Sequence, residues 1–221
     1  MIKSKSILDE IRTIPLNRIA LVSENTEYSY FNIIDIYNQN KVIIDTLNDK
    51  CIAINSLKRQ DLALLLCLLD GNVQRILFIP EDIHKDNLDK YYKEANINYE
   101  VSLEKNTIKL KTIDTINTEY IGENTQWIIP TSGTTNTPKL ISHTFSSLTR
   151  TVKQDIEKGE TFVWGLTFDI YRFSGIQVFL QAILNGSKLI IPSNDFSISQ
   201  TIELFVNKAC NINSASPSFR R

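Results

Sequence analysis

Apolar residues in this chain arrive in short runs cut by polar turns, and the runs switch between strand and helix spacing. Arg18-Ile19-Ala20-Leu21-Val22 reads as a strand, Ser23-Glu24-Asn25 as a turn, and Glu27-Tyr28-Ser29-Tyr30 as a second strand. Ile33, Ile34, Ile36, Tyr37, Ile44 and Leu47 then recur at helical spacing, with Val42 and Ile43 interrupting the stripe. Cys51-Ile52-Ala53-Ile54 is a short buried strand. Ser56 stands as N-cap of a leucine-rich helix running to Leu69, with Gly71 just past its end. Arg75 to Pro80 is the next strand. Asn87 to Ala95 is a polar helix with Leu88, Tyr91 and Tyr92 on one side. Asn98-Tyr99-Glu100-Val101 and the alternating Ile108-Lys109-Leu110-Lys111 complete this half as strands.

The second half repeats the rhythm. Trp127-Ile128-Ile129 is a buried strand, followed by a polar loop. Leu148, Val152 and Ile156 predict one helix from Ser146 to Lys158, closed by Gly159. Thr161 to Leu166 is a strand; Ile176, Phe179, Leu180, Ile183 and Leu184 mark a helix closed by Gly186; Lys188 to Pro192 is a strand. Ser199 to Ala209 is a last helix with Ile202, Phe205 and Val206 on one face. Asn211 to Arg221 reads as a strand and the start of a helix, with Pro217 suited to a first helical turn. This alternation predicts an α/β fold, a mainly parallel sheet flanked by helices. A hairpin and helix over residues 15–50 are expected as an addendum to a sheet region over 51–221. In a parallel sheet the loop after Ile129 lies at the carboxyl end of its strand.

Composition narrows the function classes. The chain has 221 residues and a formal charge of -1 from 24 basic and 25 acidic side chains, which attracts neither nucleic acid nor an anionic membrane. Leu62 to Leu69 is the longest apolar run and is too short to span a bilayer. Met1-Ile2-Lys3-Ser4-Lys5 lacks the apolar core of a signal peptide. Cys51, Cys67 and Cys210 lie in apolar patterns without C-x-x-C spacing, which argues against a disulfide frame or zinc site and fits the reducing cytoplasm.

Candidate chemistry concentrates in Thr131-Ser132-Gly133-Thr134-Thr135-Asn136-Thr137-Pro138-Lys139. Hydroxyls, one glycine and a lysine between a strand and a helix can turn donors toward an anion, and a polyphosphate is the natural ligand. The spacing is not that of a Walker loop: Pro138 replaces its second glycine and Leu140 the hydroxyl that would hold magnesium.

The stretch resembles the phosphate-binding loop of the adenylate-forming (AMP-binding) superfamily, S/T-S-G-T/S-T-G-x-P-K. That superfamily includes acyl-CoA synthetases and the adenylation domains of nonribosomal peptide synthetases. Matches fall at Thr131, Ser132, Gly133, Thr134, Thr135, Pro138 and Lys139; Asn136 replaces a glycine and is the least costly substitute at positive φ. The order of elements from about residue 15 onward is also similar, and implies the N-terminal part of that superfamily's large domain. The resemblance implies ATP and Mg2+ as cofactors, a carboxylic acid as substrate, and coenzyme A or a carrier protein as thiol acceptor. Thr131, Ser132, Gly133, Thr134, Thr135 and Lys139 would hold the phosphates.

A second region, Thr167 to Gly175, resembles the superfamily's acid pocket in two ways. Phe168-Asp169 is similar to the Phe-Asp leading to an ammonium contact in amino-acid-activating members. Phe173-Ser174-Gly175 is similar to the acyl-CoA synthetase version. Asp169 is equally readable as a turn or cap residue, and Arg172 as a solvated charge or an anion contact. His143 is either structural or, by resemblance, a pocket contact. The superfamily's Y-G-x-T-E motif, which supplies a magnesium ligand, and its ribose-binding T-G-D motif do not occur in these 221 residues. Neither does its mobile C-terminal domain. The resemblance therefore implies negligible adenylation by these residues alone. It also implies an apolar face or strand edge that a second copy or complementing polypeptide covers. The alternatives are a non-catalytic nucleotide-binding or interaction module, or a decayed remnant.

Overall fold

Leu62 through Leu69 are buried without exception, so this helix has no solvent face and lies between other layers. The computed structural model describes residues 5–55, 58–80, 83, 87–113, 124–131 and 139–214. A capping box of Ser6 and Asp9 opens α1 (Ile7–Ile11), a helix the apolar pattern did not predict. β1 (Ile19–Val22) and β2 (Glu27–Ser29) form the expected hairpin. The single helix expected next is two, α2 (Tyr30–Gln39) and α3 (Lys41–Asp45), which meet at Asn40. The Asn40 amide donates to the carbonyls of Ile36 and Asn106 and accepts from the Ile108 N–H. That buried amide ties the break to the far hairpin, and the break turns Val42 out to solvent.

β3 (Cys51–Ile54), α4 (Arg59–Leu69), β4 (Arg75–Phe78) and α5 (Leu88–Ala95) follow as predicted. Ser56, expected to cap α4, lies outside the described residues; the N-cap position is Lys58, without a side-chain cap. Past the helix, Gly71 takes φ +79, the left-handed conformation that glycine adopts without strain. β5 (Tyr99–Glu104) and β6 (Thr107–Thr112) form a hairpin through Lys105 and Asn106, both at positive φ as a tight two-residue turn requires.

β7 (Gln126–Thr131) does not lead directly to a helix. Its loop returns into β8 (Lys139–Thr144), antiparallel to it from Gln126↔Thr144 to Thr131↔Lys139. The helix expected from Ser146 to Lys158 is two short pieces, α6 (Phe145–Thr149) and α7 (Ile156–Gly159). Asp155 causes the interruption: it caps α7 by accepting the Lys158 N–H, while its own N–H goes to Asn185. Gly159 is not a left-handed C′ residue. A Cβ there would lie 1.7 Å from the Asn185 carbonyl oxygen, so close packing demands the glycine. β9 (Val163–Leu166), α8 (Phe173–Ile183), β10 (Lys188–Ile190), α9 (Ile198–Asn207) and β11 (Ile212–Ser214) complete the described elements. Pro217 lies outside them.

The strands form two sheets rather than one. One is six-stranded, β6-β5-β3-β4-β7-β8; the other is five-stranded, β11-β9-β10-β1-β2. Each has a parallel centre (β5, β3, β4, β7; and β11, β9, β10, β1) with antiparallel strands added at its margins. The N-terminal hairpin is no appendage, because β1 pairs in parallel with β10. Alternating side chains divide the core. Ile52, Ile54, Ile76, Phe78, Trp127 and Ile129 of one sheet and Leu21 and Leu189 of the other enclose α2, α4 and α8. Outside, α5 covers Cys51, Ala53, Leu77 and Ile128, and α9 covers Val22 and Ile190 through Leu204 and Phe205. Layers therefore run helix, sheet, helices, sheet, helix.

A candidate acid- and phosphate-binding crevice

The parallel strands of the two sheets turn their carboxyl ends toward one crevice, the standard position for a ligand in such sheets. A groove of ≈ 880 Å³ opens at the carboxyl ends of β1, β3, β5 and β10. The β1–β2 turn, the start of α4, the β5–β6 turn and the segment after β10 enclose it. The candidate residues lie at the ends of β7 and β9 instead.

Thr131 ends β7 and Lys139 starts β8. The two are backbone partners, and the Thr131 hydroxyl donates to the Lys139 carbonyl at 3.2 Å. Both side chains are exposed. The hairpin thus brings the first and last residues of the hydroxyl-rich stretch together at its mouth. Ser132, Gly133, Thr134 and Thr135, with Asn136 and Pro138, lie outside the described residues. Pro130 lies beyond Ile128, the last β7 residue paired with β4, and opposite Leu140 of β8.

The second region docks onto this hairpin. An Arg172 Nη1 donates to the Pro130 carbonyl at 3.0 Å, joining the loop after β9 to the end of β7. Asp169 is a turn residue: its Oδ1 accepts the Tyr171 N–H at 3.0 Å and its carbonyl accepts the Arg172 N–H at 3.0 Å. Gly175 rests on that carbonyl; a Cβ there would lie 2.2 Å from the oxygen. The two motifs that compete in the sequence, Phe168-Asp169 and Phe173-Ser174-Gly175, are therefore halves of one tight turn into α8.

His143 meets this turn through Phe173, with ring centroids 5.4 Å apart and planes tilted by 41°. Burial lowers the His143 pKa, so the imidazole is neutral at pH 7. Phe173 remains 47% exposed. Lys139, Ile141 and His143 pair with Thr131, Ile129 and Trp127, so all three share the face of the sheet on which Ile129 and Trp127 are buried. Ile141, 40% exposed, belongs to this row. Pocket reasoning from sequence missed it, although period-2 spacing from Lys139 would have found it. Among the described residues no group of three or more His, Cys, Asp or Glu could hold a metal ion.

No protein-family profile matches the chain, and no characterised relative matches it by sequence. Solved structures do match. O-succinylbenzoate coenzyme A synthetase (MenE) of Bacillus subtilis, in complex with the acyl-adenylate intermediate OSB-AMP, superposes with a TM-score of 0.73 at 14% identity, covering 98% of this chain and 63% of that one. The same enzyme with ATP and magnesium ion gives 0.72 at 13% identity, covering 98% and 65%. The NpsA N-terminal subdomain of Klebsiella oxytoca, in complex with 3-hydroxybenzoyl-AMSN, gives 0.74 at 16% identity, covering 97% and 60%. The fold is that of the N-terminal portion of an adenylate-forming enzyme. The chain spans 50 to 65% of the length of such MenE structures. No helix among the described residues is long and apolar enough to cross a membrane.

Proposed function

We propose that this chain provides the phosphate-binding and acid-binding wall of an ATP-dependent carboxylic acid–AMP ligase. In that reaction a carboxylate oxygen attacks the α-phosphorus of ATP, pyrophosphate leaves, and an acyl- or aminoacyl-adenylate forms for transfer to a thiol of coenzyme A or a carrier protein. Thr131, Ser132, Gly133, Thr134, Thr135 and Lys139 hold the β and γ phosphates; Asp169, Arg172, Phe173, Gly175 and His143 build the acid's side of the crevice. The observation that carries this reading is the pairing of Thr131 with Lys139, which fixes a hydroxyl and a cation at the mouth of one loop, at a carboxyl strand end. The ATP–magnesium and acyl-adenylate complexes of the solved neighbours support it.

Charge neutralisation and positioning carry most of the catalysis in such a step. Magnesium, when bound with ATP, neutralises phosphate charge, and its protein ligand comes from outside the described residues. Negligible adenylation by these 221 residues alone, in which the Y-G-x-T-E and T-G-D motifs do not occur, is part of the proposal. Isothermal calorimetry with ATP tests the assignment: the parent chain binds, and Lys139→Ala weakens binding while leaving the melting temperature unchanged. Equal ATP affinity in the two proteins would remove the assignment. ATP–pyrophosphate exchange by the isolated chain would refute its inactivity.

A specific surface favours the interaction reading as well. Ile198, Ile202 and Val206 form an i, i+4, i+8 stripe on the outer face of α9, exposed by 56, 46 and 72%. Among the described residues β11 is an edge strand of the sheet that α9 covers. An apolar stripe next to a strand edge fits self-association or a complementing polypeptide.

A further inference from the structure

A second cavity, at the end of β7 opposite the crevice, carries a charge imbalance, and from it we infer a binding site for a small primary amine in its protonated form. The site does not depend on the ligase reading. The cavity measures ≈ 270 Å³ and opens beside the amino end of β7, between α1, the turn after α4 and the start of α6. Its titratable side chains are two carboxylates, Glu10 and Asp70, and one ammonium, Lys5. Lys5 reaches Glu10 from solvent: its Nζ lies 3.0 Å from Oε1, with the lysine side chain 76% exposed and the glutamate 12%. Gln154 Nε2 donates to the other Glu10 oxygen at 3.1 Å. Asp70 has no such counter-charge. Among the described residues no basic side chain pairs with it, and the charge that acts on it is that of another acid, Asp9. It is 1% exposed.

The partners of Asp70 are neutral donors, the Ile7 N–H and the Trp127 indole N–H, one on each oxygen, which leaves each oxygen a further acceptor position. A carboxylate buried without a counter-charge is costly, and burial draws a proton onto this one. An ammonium in the cavity supplies the missing charge in place of that proton. The hydroxyls of the wall are also set to receive a donor. Thr125 gives its proton to the Val73 carbonyl and Thr149 gives its own to the Phe145 carbonyl, so both present lone pairs rather than protons. Size and lining then choose among cations. No group of three acids or histidines among the described residues could hold a metal ion. The partly buried Phe145 ring offers apolar surface to a carbon body. The volume falls just below the roughly 300–1,000 Å³ of pockets for drug-sized ligands, which limits that body to a few carbons.

Proton–nitrogen correlation NMR on the whole chain at pH 7.5, above the Asp70 pKa of about 6, tests this with n-butylammonium chloride. The amine is expected to shift the Trp127 indole resonance, because that N–H lies on Asp70, together with the Gly71 and Phe145 amides. 1-Butanol is expected to bind roughly tenfold more weakly, since it lacks the charge. Sodium butyrate and potassium chloride at equal ionic strength should leave those resonances in place. Glu10→Gln should weaken the amine by a factor similar to that for butanol, and Lys5→Met, which removes the competing ammonium, should strengthen it. Lys5 is exposed and Glu10 lies at the cavity mouth, so both variants should fold, and circular dichroism checks that. Equal affinity for butanol, a response to butyrate, indifference to Glu10→Gln, weaker binding in Lys5→Met, or no response to the amine would each overturn the inference. The same shifts from potassium chloride would assign the cavity to a metal cation and overturn it as well.

Discussion

The guanidinium of Arg172 donates to the backbone carbonyl of Pro130 at 3.0 Å, and through that bond the turn after β9 in one sheet is fastened to the end of β7 in the other. A charged donor on a part-buried carbonyl stabilises by about 1.5–3 kcal/mol. Arg172→Leu should therefore lower the urea midpoint by the equivalent of about 2 kcal/mol. It should also broaden the His143 and Phe173 resonances, because α8 begins at the next residue. An unchanged midpoint would show that the sheets are held together elsewhere.

Gly175 should not accept a side chain. A methyl group would press on the Asp169 carbonyl at 2.2 Å, and backbone cannot swing aside as a side-chain tip does. Gly175→Ala is expected to cost about 1–3 kcal/mol and to move Phe173 away from His143. Thermal denaturation, with the His143 chemical shifts as a local reporter, checks both effects.

Asp70 makes stability depend on pH in an unusual direction. Its two carboxylate oxygens accept the Ile7 N–H and the Trp127 indole N–H, both at 2.9 Å, linking α1, α4 and β7. Burial raises its pKa to about 6, only partly opposed by those two bonds. The folded state thus binds this proton more tightly than the unfolded chain does. The contribution is fully present below the unfolded pKa of about 4 and is lost as pH rises through about 6. The stability difference between the parent and Asp70→Asn should fall by about 2 kcal/mol from pH 4.5 to pH 7.5. Urea titrations at four pH values measure it; a difference that rises with pH would reverse the assignment.

Charge on the outer stripe of α9 should report what that face does. Ile202→Lys with Val206→Glu leaves the inward Leu204 and Phe205 untouched. Light scattering across a concentration series should show a smaller average mass for the double variant than for the parent. Identical masses at every concentration would mean that the stripe is simply exposed.

Much of this architecture is readable in the chain, and the exceptions have local causes. The α4 helix announces itself because it is enclosed on every side, so its leucines need no polar face. β3 and β4 are short apolar runs for the same reason. The β7–β8 hairpin was hidden because β8 is an edge strand with mixed exposure. Lys139, Ser142 and Thr144 look like loop residues there until the Ile141 and His143 alternation is counted. The interruptions at Asn40 and Asp155 come from single polar side chains whose partners, Asn106 and Asn185, are far along the chain. α1 carried a readable signal in Ser6 and Asp9, overlooked because the helix is only five residues long. Within the candidate site, the mouth residues Thr131 and Lys139 are legible from motif spacing. The Arg172–Pro130 bond depends on how two sheets meet, which spacing does not encode.

The parallel pairing of Leu21 with Leu189 and of Val22 with Ile190 has a consequence for biosynthesis. A ribosome working from the amino terminus produces β1 about 170 residues before its β10 neighbour. Throughout that interval β1 keeps one flank open, with apolar side chains that belong inside the finished layers. Contacts so distant along the chain form slowly. The nascent polypeptide is thus exposed to chaperone capture and to aggregation through its first strand until β10 has emerged.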